Sequence, residues 1–374
     1  MAGLYVHVPF RRSEPPTDDA YTIGADATDV SRYKAALRRE LTYYTQAYAA
    51  DEQPTTIYVG GGRPSILPLS SLRALLPALA DTVDLSAIDE ATMNVHPADA
   101  TPRYLHGLKH LGFTRLSLPV YSFAPSTLQG LDTAHTVTEA KQAIGAARKA
   151  GFELSIDLRF VGSAQPLGTW ASTLHRAVEM NVPHITIEES TIEESRPDDH
   201  DDDRADKFEL AMRLLRSEGY EQYELTHFAR PGHRSSHQEN YYDHGNYLGL
   251  GPSAQSFWWA TRTASSRARR WANVHDLDRY AERLRQRYPP VDYRETLDGT
   301  ALAEEYVLLA LRTAGGLDLN RLDRQYGVLL REQKEAVLCR LREEGLIHDD
   351  PDRVRLTLQG RLVADAITRT LLPE

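Results

Sequence analysis

Among 374 residues there is one cysteine, Cys339, and there are only six lysines, Lys34, Lys109, Lys141, Lys149, Lys207 and Lys334. The shortage of sulfur excludes most. One thiol closes no intramolecular disulfide and cannot supply the three or four thiolates of a Cys-rich zinc site or a protein-held iron–sulfur cluster. Positive charge is also short: 53 acids outweigh 43 bases, for a formal charge of −10. That balance argues against a nucleic-acid partner, because phosphate binding is mainly Lys/Arg neutralisation. No apolar run approaches the roughly 18 residues that span a bilayer. The opening Met1 to Phe10 lacks the basic start of a secretory signal and runs straight into a strand-like pattern, so the expected compartment is the cytoplasm. What is present is a chain with 41% hydrophobic residues. That is enough for a substantial core, and at this length two domains are expected, one of them large.

Strand and helix patterns alternate through the first two thirds. Leu4 to Val8 reads as a strand and Asp29 to Tyr48 as an amphipathic helix capped by Asp29 or Ser31. Strands then follow at Thr56 to Val59, Ala91 to Val95, Arg115 to Val120, Glu153 to Leu158, His184 to Ile187 and Gln222 to Thr226. Helical patterns of ten to fifteen residues separate them, for example Ser70 to Leu79, Thr138 to Ala150 and Gly168 to Met180. This alternation predicts an α/β fold, a full or partial (β/α) barrel of about six or seven units with its chemistry at the C-terminal strand ends. After Thr226 the rhythm breaks, and residues 231–299 read as irregular structure packed on the barrel. From Thr300 the pattern is helical, resembling a small winged-helix-like C-terminal domain over 300–374. The expected units are therefore 1–230, 231–299 and 300–374. Mixed charge on the last unit gives no support to DNA binding.

Several positions carry possible chemistry. Gly60, Gly61 and Gly62 follow a strand and are either a tight turn or a place where a ligand approaches the backbone. Asp157 ends a strand, where its carboxylate could hold a ribose or an amine or simply bond nearby backbone. The run Arg196 to Asp206 lacks the spaced ligands of a calcium loop and reads as a solvated helix start. His233, His237 and His244 fall within twelve residues beside Tyr241 and Tyr242. They are candidate metal or haem ligands, or satisfied loop histidines. Tyr247, Phe257, Trp258 and Trp259 could wall a flat ligand or serve as core.

YVHVPF at Tyr5 to Phe10, YVGGGRPSIL at Tyr58 to Leu67, TRLSLPVYSF at Thr114 to Phe123 and SIDL at Ser155 to Leu158 appear in sequence. GYEQYELTHFARPGH at Gly219 to His233 and NYLGLGPSAQS at Asn246 to Ser256 follow. In this order the motifs resemble the HemW family of haem chaperones, related to oxygen-independent coproporphyrinogen dehydrogenases. The resemblance covers nearly the whole chain. It implies a partial barrel of the radical S-adenosylmethionine type followed by the family's C-terminal domain.

The departures bear on function. Where the family has Cys-x-x-x-Cys-x-x-Cys, this chain has Arg11, Pro15 and Asp18, none of which can replace a thiolate on a soft cluster. Contacts to S-adenosylmethionine that the resemblance implies are altered as well: Arg63 in GGGRPS, Asn94 and His96 in the ExNP motif, Pro119 and Tyr121 in GVQSF, Thr133 in LGR, and FVGSAQ at Phe160 to Gln165. Asp157 and the three glycines remain. The haem motif HNxxYW corresponds to His237 through Tyr242, keeping His237 and Tyr241 with Gln238 and Tyr242 substituted, while Gln255 replaces the histidine of GPGAHS. The expected function is that of a haem- or porphyrin-binding, haem-trafficking pseudoenzyme without radical catalysis. In it His237 ligates haem iron, the [4Fe–4S] cluster and S-adenosylmethionine are lost, and a haem-receiving protein is a possible partner. Iron binding needs a neutral imidazole, so affinity should fall below the unperturbed histidine pKa near 6.5. The alternatives are a non-haem interaction scaffold and, against the missing ligands, a working coproporphyrinogen dehydrogenase.

Overall fold

The computed structural model describes residues 2–12, 21–48, 52–81, 83–131, 133–162, 165–190, 201–262 and 267–373. Six strands alternate with helices: Ala2–Val8, Pro54–Gly61, Glu90–Asn94, Arg115–Tyr121, Glu153–Val161 and His184–Ser190, the first to sixth below. Each pairs in parallel with its successor, so chain order is spatial order. Side chains alternate in direction along these strands. Leu4, Met93, Leu116, Leu118, Ile156, Leu158 and Ile185 are fully buried in the core under the helices, each stabilising by roughly 1.5–3 kcal/mol relative to exposure. The intervening residues Tyr58, Thr92, Asn94, Ser117, Asp157 and Glu188 face inward and line a cavity. The barrel therefore has an apolar outside under helices and a polar inside.

Local signals set the helix boundaries. The first helix runs Ala27–Tyr48. Its cap is Asp26, whose carboxylate accepts from Thr28 N at 2.7 Å and Asp29 N at 2.9 Å, rather than the expected Asp29 or Ser31. The helix Val137–Lys149 begins with a capping box, Thr136 and Glu139 each taking the other's backbone N–H.

Two expectations are corrected beyond the sixth strand. The anticipated strand Gln222 to Thr226 is a reversal. Glu221–Gln222 and His227–Ala229 are short antiparallel strands, and between them the Glu224 side chain accepts from Thr226 N and closes the turn. Residues 231–299 are also not irregular. Asn246–Leu250 pairs in parallel with the first strand, and Gln255–Thr261, Arg267–Asn273 and Val291–Leu297 extend the sheet antiparallel to twelve strands. The strand pattern was hidden at its centre because Gln255–Thr261 packs on both faces, whereas Val291–Leu297 at the edge is largely exposed. Adjacent Trp258 and Trp259 point oppositely, Trp258 to Tyr48 in the barrel core at 5.2 Å and Trp259 into the C-terminal core.

The C-terminal part packs helices Gly299–Arg312, Leu319–Tyr326, Leu330–Glu343, Leu358–Leu362 and Ala364–Leu371 around a second core, with a short ribbon of Leu317–Asp318 and Arg353–Val354. No helix among the described residues is long and apolar enough to cross a membrane.

One buried carboxylate ties the two parts together. Glu224 has no solvent exposure and accepts from Thr226 N and Oγ1, His227 Nδ1 and both Nε and Nη2 of Arg312, at 2.7–2.8 Å. Burial opposes its ionisation, but the His227 and Arg312 partners outweigh that and hold its pKa at about 2.

Candidate functional site

The barrel cavity, about 600 Å³, opens where the strands end. At its mouth the backbone after the second strand turns back on the first. Gly62 N donates to Val8 O at 2.9 Å and Arg63 N to Phe10 O at 2.7 Å. Gly61 sits at φ +104°, and a Cβ there would lie 2.7 Å from Val8 O. Close backbone packing is therefore one reason for glycine here. Gly60, Gly61 and Gly62 all line the cavity, so the turn and the ligand-facing readings coexist.

The altered residues build their own network. Arg63, 6% exposed, forms a fork on Asp99, Nε to Oδ2 at 2.7 Å and Nη2 to Oδ1 at 2.9 Å, with Ser65 Oγ adding 2.7 Å. Pro119 stands in a central strand where it can donate no ladder hydrogen bond, and the pairing with the fifth strand slips between Pro119 and Tyr121. Tyr121 adopts φ +57° beyond that slip. Its ring lies 4.3 Å from the guanidinium of Arg159, which in turn bonds Glu188 at 2.7 Å. Thr133 Oγ1 donates to Leu128 O at 3.2 Å, and His96 Nδ1 caps the turn after it by accepting from Ala98 N.

Asp157 faces the cavity and accepts from Ser117 Oγ at 3.1 Å. Burial, and then the nearby Glu188 charge, push its pKa up to about 7. The cavity floor holds Arg115, which donates to Ser155 Oγ at 3.1 and 2.8 Å, and His184, which joins Ser155 to Tyr223. Sequence reasoning did not single out these groups. Their only signal was polar residues at alternate positions of otherwise apolar strands.

Of the positions matching the family's cluster ligands, Arg11 lines the cavity and pairs its backbone with Ile23–Gly24, while Pro15 and Asp18 lie outside the described residues. The sole thiol, Cys339, is exposed on the helix Leu330–Glu343 of the C-terminal part. Among the described residues, the donors lining the barrel cavity are guanidiniums, imidazoles, hydroxyls and carboxylates and include no thiolate, which does not suit a soft iron–sulfur cluster.

The three loop histidines do not converge. His233 Nδ1 bonds Glu153 at 2.7 Å. His244 is buried, bonded to Tyr326 OH at 2.9 Å and 3.3 Å from Glu305. His237, 1% exposed, is on the helix Ser236–Tyr242 under the barrel. Its Nδ1 is 2.8 Å from Thr56 Oγ1, its Nε2 is 3.1 Å from Tyr241 OH, and its ring stacks on Tyr58. In this conformation neither ring nitrogen is open to iron. Burial pushes its pKa down to about 3, so in this closed conformation the imidazole is neutral at pH 6.5. Nor do Phe257, Trp258 and Trp259 form a ligand wall; they belong to the two cores.

A polar parallel α/β barrel carrying a helical C-terminal domain defines the fold class. Residues 297–363 match the family model described as the HemN C-terminal domain. The solved coproporphyrinogen III oxidase (HemN) of Escherichia coli, a radical SAM enzyme, superposes with a TM-score of 0.82 at 20% identity, over 99% of this chain and 90% of that one. Over 99% of its length the chain is 34% identical to the haem chaperone HemW of Mycobacterium tuberculosis, covering 94% of that protein. It is 27% identical to HemW of Bacillus subtilis over the full length of both. The chain belongs to the HemW family.

Proposed function

We propose that this chain is a cytoplasmic haem- or porphyrin-handling protein of the HemW family that works without a [4Fe–4S] cluster or radical catalysis, passing its ligand to a receiving protein. The observation that carries this reading is full-length similarity to haem chaperones in a chain whose one thiol lies outside the barrel. The Arg63–Asp99 fork and the Tyr121–Arg159–Glu188 stack hold the mouth with the chain's own charges. Cluster and S-adenosylmethionine are not needed for that. Asp157 and the Gly60, Gly61 and Gly62 backbone remain available to a small polar ligand.

On this reading His237 ligates haem iron in an opened conformer, with Tyr241 hydroxyl released from Nε2. Giving up that hydrogen bond costs a net ~1 kcal/mol, and exposing the buried ring makes ligation slow. Stopped-flow mixing with ferric haemin tests it. A slow Soret change is expected in the parent and absent in His237→Ala. Tyr241→Phe, which frees Nε2, should accelerate it several-fold. A slow phase unchanged in His237→Ala would defeat the assignment. The saturated hydrogen bonding of His237 favours one second reading, in which it is purely structural and the protein is a non-haem interaction scaffold. No Soret change of any kind in the parent would then be the outcome.

A further inference from the structure

Outside the barrel mouth, the sheet's antiparallel extension continues the inner face of the first strand and leaves a groove of about 580 Å³ beside the barrel. Four tyrosines line it: Tyr5 from the first strand, Tyr241 from the helix under the barrel, Tyr247 from Asn246–Leu250 and Tyr293 from Val291–Leu297. Tyr241 and Tyr247 meet edge to face at 4.8 Å, and Tyr293 is 53% exposed. The barrel cavity shares Tyr5 and also presents Tyr58 and Tyr121, but its walls carry Arg115, Asp157, Arg159 and Glu188, whereas Asp292 is the one Asp, Glu, Arg or Lys among the groove's lining residues. Charged walls suit a small polar ligand; aromatic faces suit a broad, flat, largely apolar one.

Two histidines also line the groove, and they are not equivalent. His7 is 4% exposed with both nitrogens engaged, Nδ1 by Tyr5 OH at 3.1 Å and Nε2 by Tyr21 O at 3.0 Å. His275 is exposed, and its Nδ1 is taken by Ser253 Oγ. A partner on one ring nitrogen fixes the tautomer and leaves the other for a ligand, which is how metal-binding histidines are oriented. Asp292, also in the lining, pairs with Arg279 at 3.5 Å, so the rim is charge-balanced.

We propose that this groove is where an iron porphyrin docks on the closed protein, its iron taken by Nε2 of His275 with Ser253 setting the tautomer. The proposal rests on the haem reading above and adds a site to it. Tyr241 connects the two, since its ring lines the groove while its hydroxyl covers His237. Docking therefore precedes, and does not require, the opening at His237.

Ferric haemin mixed rapidly with the full chain should give a fast Soret phase, saturating at one haem per chain, ahead of the slow one. His275→Ala, at an exposed position that leaves folding intact, should lose the fast phase or weaken it about tenfold or more, and Ser253→Ala should weaken it roughly threefold. His237→Ala should keep it. If the fast phase survives in His275→Ala, or vanishes in His237→Ala alone, the groove is not the docking site, although the haem reading stands. If the parent shows no Soret change, both fall. Tyr293→Ala supplies an independent check: a fast phase indifferent to loss of that exposed wall also contradicts docking here.

Discussion

Glu224→Ala is expected to destabilise the protein by about 3 kcal/mol, read as a shift in the denaturation midpoint at pH 7. The carboxylate is fully buried and accepts from five donors, two of them on Arg312 in the C-terminal part. Removing it strands His227 Nδ1, Thr226 N and the Arg312 guanidinium together, and it opens the reversal between the two short strands. Glu224→Gln keeps the volume and one acceptor and should lose about half as much. Because the folded-state pKa is depressed to about 2 from 4.5, this contribution is present above pH 4.5 and fades as pH falls towards 2. A loss under about 1 kcal/mol for the alanine variant would mean the junction behaves as a surface ion pair and the two parts are held by apolar packing alone.

A second large effect is expected from Glu40, with the opposite pH sign. This residue of the first helix is fully buried and accepts from Tyr280 OH, from Gly251 N at 2.7 Å and from Asn273 Nδ2 at 2.5 Å. Burial dominates those hydrogen bonds and raises its pKa from 4.5 to about 8. Between those values the unfolded chain releases a proton that the folded chain keeps, so stability falls as pH rises, by up to about 1.4 kcal/mol per pH unit. His237, its pKa lowered from 6.5 to about 3, works the other way, as do His7, His135, His184 and His244, whose pKa values burial also lowers; their contributions level off only as pH rises past 6.5. Asp157, raised to about 7, finishes early in the window. Glu40 alone should therefore cost about 2 kcal/mol between pH 6.5 and 8, and the stability curve of Glu40→Gln should rise relative to the parent's by about that amount across the window, whatever its absolute stability. Equal slopes in parent and variant would show that Glu40 is ionised in the folded state at neutral pH.

The parallel barrel was legible because its strands alternate with helices at regular spacing and its buried face is continuously aliphatic. The extension over 231–299 was not, because its central strand, covered on both faces, shows no alternation of apolar and polar residues: Trp258 and Trp259 are neighbours in sequence but sit in different cores. The altered motif positions were readable one by one, but their partners were not. Nothing local ties Arg63 to Asp99 or Tyr121 to Arg159, since those contacts depend on how strand ends are staggered around the mouth. His237 stood out by motif, yet only the structure shows Thr56 and Tyr241 on its two nitrogens. His275 carried no sequence signal at all. Its interest comes from the groove assembled by strands far apart in the chain.

One absorption titration decides whether this family member handles haem without a cluster. The purified chain is treated anaerobically with iron and sulfide, desalted, and titrated with ferric haemin. No broad absorbance near 400 nm is expected before haemin, and then a Soret band saturating at one haem per chain; a stable chromophore with roughly four irons and four sulfides per chain, and no haemin-dependent band, would overturn the cluster-free haem reading.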